Sequence, residues 1–299
     1  MDNKLGRLLT AMITPLYSDG AVNLGAAQEL ATQLVRDGSD GVVVAGTTGE
    51  SPTLSDDEKI DLLRAVREAI PRHQVVAGTG SNDTRHTVEL SQRALEAGAD
   101  ALLCVVPYYS KPSQEGMYRH FCRLSQLGPV IIYNIPSRTG INLATETTLR
   151  CAQEPNIIGV KEASGSIDQI ASICAQAPED FLVWAGDDSF TLPMLAVGGY
   201  GAIAVVSHLA GGAMRRMIEA HCSGQPAVAA ALHHQLLPLM GALMTTAGNP
   251  MPLKAVLNCL GFPAGPLRPP LLELSEAESE PLMRVVNESS VLTQKFDGS

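Results

Sequence analysis

Short apolar runs recur along the chain at intervals of roughly thirty residues, and amphipathic stretches separate them. A run of this length between turn signals is typical of a strand that is covered on both faces. The predicted strands are Leu8–Thr14, Gly41–Ala45, Gln74–Gly78, Ala101–Val106, Val130–Asn134, Ile157–Val160, Phe181–Ala185 and Gly201–Val206. Helices are predicted between them. Asn23 is a predicted N-cap, and Ser55 with Glu58 has the S-x-x-E form of a capping box.

Eight alternating strand–helix units predict an α/β fold with a parallel sheet that closes into a (β/α)8 TIM barrel. A doubly wound open sheet is the alternative, but no break in composition divides the units into halves. The remaining residues are predicted to form helices alone, at Ala227–Met244, Pro252–Leu260 and Glu276–Thr293. We therefore expect a catalytic barrel over residues 1–225 and a C-terminal helical appendage over residues 226–299, packed on the barrel.

Composition narrows the class of protein. The 299 residues carry a net charge of −10, which argues against a general nucleic-acid binder. None of the six cysteines forms a CxxC pair, so we expect reduced thiols in a cytoplasmic protein. The start at Met1–Lys4 is not followed by an apolar signal core, and no apolar run is judged long enough to span a bilayer.

In a barrel of this kind, the active site lies at the carboxyl ends of the strands. Lys161 follows the run Ile157–Val160 and is predicted either to reach water or to point into a sheltered pocket. Burial would lower its pKa and make it a nucleophile that can form a Schiff base with a carbonyl substrate. The loop Gly46–Glu50 is either a simple glycine turn or a carboxylate-binding loop of backbone N–H groups.

Other strand ends contribute further polar side chains. Tyr133 and the pair Tyr108-Tyr109 are either core and interface aromatics or proton relays. Arg138 is either a surface arginine or a fork for a substrate carboxylate. Asp187-Asp188 lacks metal-ligand companions and is predicted to cap a helix near Asp188. We expect neither a metal nor an organic cofactor.

Taken together, these motifs resemble the dihydrodipicolinate synthase family, within the superfamily that includes N-acetylneuraminate lyase. The resemblance covers nearly the whole chain, and the motifs around Lys161 and Tyr133–Gly140 are the specific ones. The matching segments are Ala11–Pro15, Gly46–Ser51, Pro107–Tyr109, Tyr133–Gly140, Gly159–Ala163 and Asn249–Lys254. The resemblance implies condensation of pyruvate with L-aspartate 4-semialdehyde to 4-hydroxy-tetrahydrodipicolinate, in lysine and diaminopimelate biosynthesis.

The resemblance also implies a role for each site residue. Lys161 would form the imine with pyruvate, Tyr133 would donate and accept protons, and Thr47 would link Tyr133 to Tyr109 from a neighbouring subunit. The residues expected to bind substrate are Thr48, with its N–H group on the pyruvate carboxylate, Arg138 on the carboxylate of the semialdehyde, Ile203 with its main chain facing pyruvate, and Gly186. The assembly implied is a homo-oligomer, a dimer of dimers, with no nucleic-acid or membrane partner.

Lysine-inhibited members of the family bind lysine at a dimer interface. The corresponding positions here are Ser51, Pro52, Asp56, Lys59, Asn82, His86 and Tyr108. The inhibited pattern has histidines in place of Asp56 and Lys59 and a glutamate in place of His86. We therefore predict weak or absent lysine inhibition, because an anionic partner for lysine is lost and a like charge is added.

Two alternative functions stay open at this point. Another pyruvate-dependent aldolase or lyase of the same superfamily, acting on a 2-keto-3-deoxy acid, would share the imine chemistry. A non-catalytic metabolite-binding paralogue would share only the fold.

Overall fold

The computed structural model describes residues 4–292, so the predicted helix end at Thr293 and the start at Met1–Asn3 lie outside the described residues. Eight parallel strands close into a barrel in which each strand pairs with its neighbours in chain order and the eighth pairs with the first. The strands are β1 Leu8–Ala11, β2 Gly41–Val44, β3 Gln74–Gly78, β4 Ala101–Val105, β5 Val130–Asn134, β6 Ile157–Glu162, β7 Leu182–Ala185 and β8 Gly201–Ala204. The predicted (β/α)8 fold is confirmed, and the open-sheet alternative is wrong.

Helices surround the barrel. They are α1 Leu24–Arg36, α2 Asp56–Ala69, α3 Thr84–Glu96, α4 Gln114–Leu124, α5 Pro136–Thr139, α6 Thr145–Cys151, α7 Ile167–Gln176, α8 Thr191–Ala196, α9 Ser207–Cys222, α10 Pro226–Thr245, α11 Met251–Cys259 and α12 Glu276–Glu288. Short 3-10 turns lie at Ser51–Thr53 and Asp188–Phe190. The predicted caps are confirmed: Asn23 accepts the N–H of Ala26, and Ser55 and Glu58 form the capping box of α2.

The amphipathic pattern after the last strand predicts a helix over Ala213–Ser223, and helix α9 differs from this prediction at its start. It begins at Ser207, and Ala210 has non-helical backbone angles within it. Two consecutive glycines, Gly211 and Gly212, follow this kink, and glycine has a low helix propensity. This explains why the pattern alone placed the start of the helix too late.

Two apolar clusters form the core. One lies between the barrel and its helices. The other fills the barrel interior with the inward-facing residues of the strands, including Leu9, Val43, Trp184 and Ile203. Because side chains alternate between the two faces of a strand, a packed interior leaves space for polar groups only at the strand ends.

The C-terminal helices pack against the barrel as well as against one another. Helix α10 contacts α9 and the 3-10 turn at Asp188–Phe190, and α12 contacts α10 and α11. The proposed boundary between residues 225 and 226 stays a prediction. The expectation that no apolar run could span a membrane is wrong by length and composition, since α10 has 20 residues and is apolar enough.

Candidate active site

Strands β5 and β6 place two polar side chains next to each other. Tyr133 pairs with Lys161 in the register of the two strands, and both residues are buried. The ammonium nitrogen of Lys161 lies 4.4 Å from the centre of the Tyr133 ring. Lys161 lies within β6, which continues to Glu162, whereas the sequence had placed the strand end at Val160. The lysine therefore has a fixed backbone and does not reach water.

The surroundings of Lys161 favour its neutral form. The pKa of Lys161 is lowered from its ordinary 10.5 to about 8; burial is the main cause, the charge of Asp188 opposes the shift, and the charge of Arg138 contributes to it. A buried ammonium loses its hydration, so the neutral amine becomes more populated near neutral pH. A neutral amine can attack a carbonyl carbon, which is the first step of Schiff-base chemistry.

Tyr133 faces a cavity of about 490 Å³ at this end of the barrel. Thr47 and Arg138 also line the cavity, and the side chain of Thr47 is hydrogen-bonded to Tyr133. Burial raises the pKa of Tyr133 to about 12, with Thr47 and Arg138 acting in the opposite direction. The phenol is therefore protonated at neutral pH and can donate a proton to a group held in the cavity.

The loop after β2 forms a compact turn. The N–H groups of Gly49 and Ser51 donate to the carbonyl of Gly46, and the N–H of Glu50 donates to that of Thr47. Among residues 4–292, no acceptor is found for the N–H groups of Thr47 and Thr48. Two adjacent N–H groups without protein acceptors at the edge of a cavity can bind a carboxylate.

The C-terminal segment reaches this loop. The side chain of Thr48 is buried and accepts a hydrogen bond from Asn249 at 2.9 Å. Arg138, in the short helix α5, donates to the main-chain oxygen of Asn249 at 3.3 Å. The sequence had matched Asn249 only through a family motif, and no local pattern predicts its contact with a loop 201 residues away.

Gly186 and Ile203 occupy different surroundings. A Cβ atom on Gly186 would lie 3.2 Å from the Cε atom of Lys161, so the absence of a side chain here leaves room for the lysine. Ile203 is buried in the barrel interior and does not line the cavity. Neither Ile203 nor Gly186 is among the residues that line the cavity, so their predicted contacts with substrate stay predictions.

The predicted cap near Asp188 is confirmed, and the first residue of the Asp187-Asp188 pair provides it. Asp187 is the residue that caps the 3-10 turn, by accepting the N–H of Ser189. Asp188 is buried instead and accepts the N–H groups of Val205 and Val206 beyond β8. Burial raises the pKa of Asp188 to about 6, against those two hydrogen bonds. Sequence reasoning did not predict that the Asp188 carboxylate acts on Lys161, although the Asp187-Asp188 pair at a strand end was a signal for it.

A buried polar network lies behind the two central residues. Asn134, next to Tyr133, donates to Glu162, next to Lys161, at 3.1 Å. The N–H of Ser164 also donates to Glu162, and Gln169 from α7 donates to the same carboxylate. Because neighbouring strand residues point to opposite faces, these bonds hold the ends of β5 and β6 in register from outside the barrel.

Of the predicted catalytic residues, Thr47 and Tyr133 line the cavity and Lys161 lies behind Tyr133, whereas Tyr109 is not brought to the cavity of its own chain. It is 88% exposed, with a left-handed backbone angle of φ 69°. Its neighbour Tyr108 does line the cavity. A non-glycine residue seldom adopts such an angle, so the surrounding structure must hold Tyr109 in this conformation.

The cavity also includes most positions expected to bind lysine in inhibited relatives. Of these positions, Ser51, Pro52, Asp56, Lys59, His86 and Tyr108 line the cavity, and Asn82 does not. His86 lies 2.8 Å from one carboxylate oxygen of Asp56, and Lys59 lies 3.6 Å from the other. Burial alone would raise the pKa of Asp56, but His86 and Lys59 outweigh it and lower the pKa. The negative charge of Asp56 is therefore already paired within the chain.

A model of the dihydrodipicolinate synthetase family matches residues 4–289. The chain belongs to this family. It is 53% identical to the 4-hydroxy-tetrahydrodipicolinate synthase of Moorella thermoacetica over 290 residues, which cover 96% of this chain and 99% of that protein. The family expected from the motifs is therefore confirmed, and with it the prediction that the chain is an enzyme, a lyase.

Solved structures agree with this assignment to the family. The chain superposes on DHDPS from Cyanidioschyzon merolae, described with lysine bound, with a TM-score of 0.94, 40% identity and coverage of 96% of this chain and 99% of that one. The chloride-inhibited dihydrodipicolinate synthase of Acinetobacter baumannii, complexed with pyruvate, gives a TM-score of 0.91 at 32% identity, with the same coverage.

Proposed function

We propose that the protein condenses pyruvate with L-aspartate 4-semialdehyde to give 4-hydroxy-tetrahydrodipicolinate, in lysine and diaminopimelate biosynthesis in the cytoplasm. The observation that carries this proposal is the buried Lys161 against the ring of Tyr133 beside a cavity. The Moorella relative bears the name of this activity, and the Acinetobacter relative is described with pyruvate.

The chemistry begins at Lys161. Its neutral amine adds to the C2 carbonyl of pyruvate, and a proton from Tyr133 allows the carbinolamine to lose water and form the imine. Loss of a methyl proton from the imine then gives an enamine. The two N–H groups of Thr47 and Thr48 hold the pyruvate carboxylate during these steps, and no cofactor is needed, because the imine itself accepts the electron pair.

The second substrate enters on the other side of the enamine. The enamine carbon attacks the aldehyde of the semialdehyde, whose carboxylate is held by Arg138, and the alkoxide that forms takes a proton. The substrate amine then attacks the imine carbon, and ring closure releases Lys161 as the free amine. We assign Gly186, beside Lys161, and the main chain of Ile203 to the pyruvate end of the site.

A second copy of the chain completes the proton relay. Tyr109 is exposed and does not line the cavity of its own chain, so we assign it to the site of a neighbouring subunit, hydrogen-bonded through Thr47 to Tyr133. The assembly proposed is a dimer of dimers.

The decisive experiment is a coupled assay with pyruvate and the semialdehyde, on the wild type and on Arg138→Ala. The variant is expected to keep imine formation and to lose condensation by about 10- to 100-fold, the value of a hydrogen bond to a charged group. Retro-aldol turnover of a 2-keto-3-deoxy acid without condensation would instead establish the alternative lyase function.

Weak or absent inhibition by lysine is part of the proposal. Asp56 is engaged by His86 and Lys59, and Lys59 adds a positive charge where the lysine ammonium would bind. The check is a lysine titration of the condensation assay. Strong inhibition at sub-millimolar lysine would contradict this part of the proposal.

A further inference from the structure

Glu50 lies at the end of the loop that carries Thr47 and Thr48, and its backbone is left-handed, with φ 56° and ψ 34°. Non-glycine residues seldom adopt this conformation, so the surrounding contacts must hold it. The Glu50 side chain is 1% exposed, and one of its oxygens lies 2.6 Å from the ammonium of Lys254, which is 2% exposed. A fully buried ion pair thus joins the loop to helix α11.

Both members of the Glu50–Lys254 pair also bond to the main chain of the C-terminal region. Lys254 donates to the carbonyl of Pro266 at 2.8 Å, and the second oxygen of Glu50 accepts the main-chain N–H of Arg268 at 2.9 Å. Both charges therefore have hydrogen-bonding partners, the condition under which a buried pair is tolerated. The loop is also held from the other side, where Thr14 donates to the carbonyl of Gly49 at 2.7 Å.

Asn249 extends the same connection toward the cavity. Its side chain donates to Thr48, and its carbonyl accepts from Arg138. The segment Asn249–Lys254 therefore contacts both the loop that carries the N–H groups of Thr47 and Thr48 and the side chain of Arg138, which lines the cavity. These are the two groups that the proposed function assigns to the two substrate carboxylates.

We propose that Glu50 and Lys254, with Asn249, are positioning residues that hold the Gly46–Ser51 turn in the shape that binds the carboxylate of the 2-oxo acid. The segment from the C-terminal region also sets the separation between this turn and Arg138. The inference rests on the proposed function, because it assigns the carboxylate of the first substrate to this turn. It makes the C-terminal helices part of the binding site.

The test separates carboxylate binding from general stability. Imine formation is followed by borohydride reduction and intact mass, with pyruvate and with its uncharged amide, pyruvamide, as carbonyl probes. In the double variant Glu50→Gln with Lys254→Met, which leaves no unpaired charge, the half-saturating pyruvate concentration is expected to rise at least about tenfold. Half-saturation by pyruvamide is expected to change by less than about twofold, because pyruvamide has no carboxylate for the turn to bind.

The matched control is a second ion pair at the opposite end of the barrel. Arg215 lies 2.5 Å from Asp40, next to the start of β2. The double variant Asp40→Asn with Arg215→Met is expected to change neither half-saturation value. If the Glu50–Lys254 double variant does not fold, Asn249→Ala gives the same readout, since it removes the bond to Thr48 without burying a charge.

Each outcome decides between the two proposals. A wild-type protein that forms no adduct with pyruvate would contradict the proposed function itself, and the inference with it. If the wild type forms the adduct and the folded Glu50–Lys254 double variant binds pyruvate as well as the wild type does, the inference alone is contradicted. An equal loss for pyruvate and pyruvamide would also overturn it, since this would show a purely structural role.

Discussion

Replacing Lys161 by methionine should abolish imine formation and at the same time stabilise the folded protein. Lys161 is 5% exposed, and its ammonium faces an aromatic ring. Burial lowers its pKa from 10.5 to about 8. The folded state therefore binds this proton less tightly than the unfolded chain does, and at pH 7 the charged lysine opposes folding. Methionine has similar length and carries no charge.

The magnitude follows from the two pKa values. A fall from 10.5 to about 8 corresponds to about 3 kcal/mol of lost stability at pH 7, where the lysine is charged in both states. As the pH rises above 8, the folded protein releases the proton first, and the penalty falls to about 1 kcal/mol at pH 10. The advantage of the Lys161→Met variant should decrease over the same range.

The measurement is the thermal unfolding midpoint of the two proteins at equal concentration, at pH 7 and pH 10. About 3 kcal/mol in a chain of this size corresponds to a rise of roughly 5 °C at pH 7. Lys254→Met is the contrasting variant, because Lys254 has a buried carboxylate partner 2.6 Å away and its loss leaves that charge unpaired. A Lys161→Met variant that is less stable than the wild type, or whose advantage is the same at both pH values, would refute the reasoning.

Three further predictions concern the surroundings of the lysine. Tyr133→Phe should slow imine formation, and it should also slow the exchange of pyruvate methyl protons with deuterated water by about 10²-fold or more, as followed by NMR; wild-type rates of both in this variant would exclude the tyrosine as the acid–base group. Gly186→Ala would place a Cβ atom 2.8 Å from the Cβ atom of Ala163 and 3.2 Å from the Cε atom of Lys161, so the end of β6 must shift. The rate of borohydride trapping should therefore fall while the circular dichroism spectrum is retained; an unchanged rate would show that the lysine does not need this space. Asn134→Ala should lower the unfolding free energy by about 1–3 kcal/mol, because the buried carboxylate of Glu162 loses a donor. The control, Gln176→Ala, removes an exposed amide that is bonded within its own helix and should leave the unfolding free energy unchanged. Equal effects of the two substitutions would argue against a stabilising role for the Asn134–Glu162 network.

Local patterns predicted the elements that depend on neighbouring residues. The cap at Asn23 and the capping box at Ser55 were readable because each involves residues at most three positions apart. The eight repeating units implied the barrel, and the barrel placed Lys161 at a strand end. The position of Tyr133 followed from the same alternation of strands and helices.

Contacts between distant segments could not be read in this way. The bond from Asn249 to Thr48 spans 201 residues, and the pair Glu50–Lys254 joins the second strand–helix unit to a helix of the C-terminal region. The contacts of Asp188 itself were not predictable, because its partners, the N–H groups of Val205 and Val206, come from the next strand–helix unit. A polar residue at a strand end signals a function or a contact, but its partner is set by the tertiary fold.

The most direct test of the central claim is borohydride trapping of the wild-type protein in the presence of pyruvate, followed by peptide mass mapping. The account predicts a reduced pyruvate adduct on Lys161, absent from the Lys161→Met variant and from samples without pyruvate. The buried charge of Lys254 provides an internal comparison, since that lysine should stay unmodified. No adduct, or an adduct on another lysine, would contradict the account.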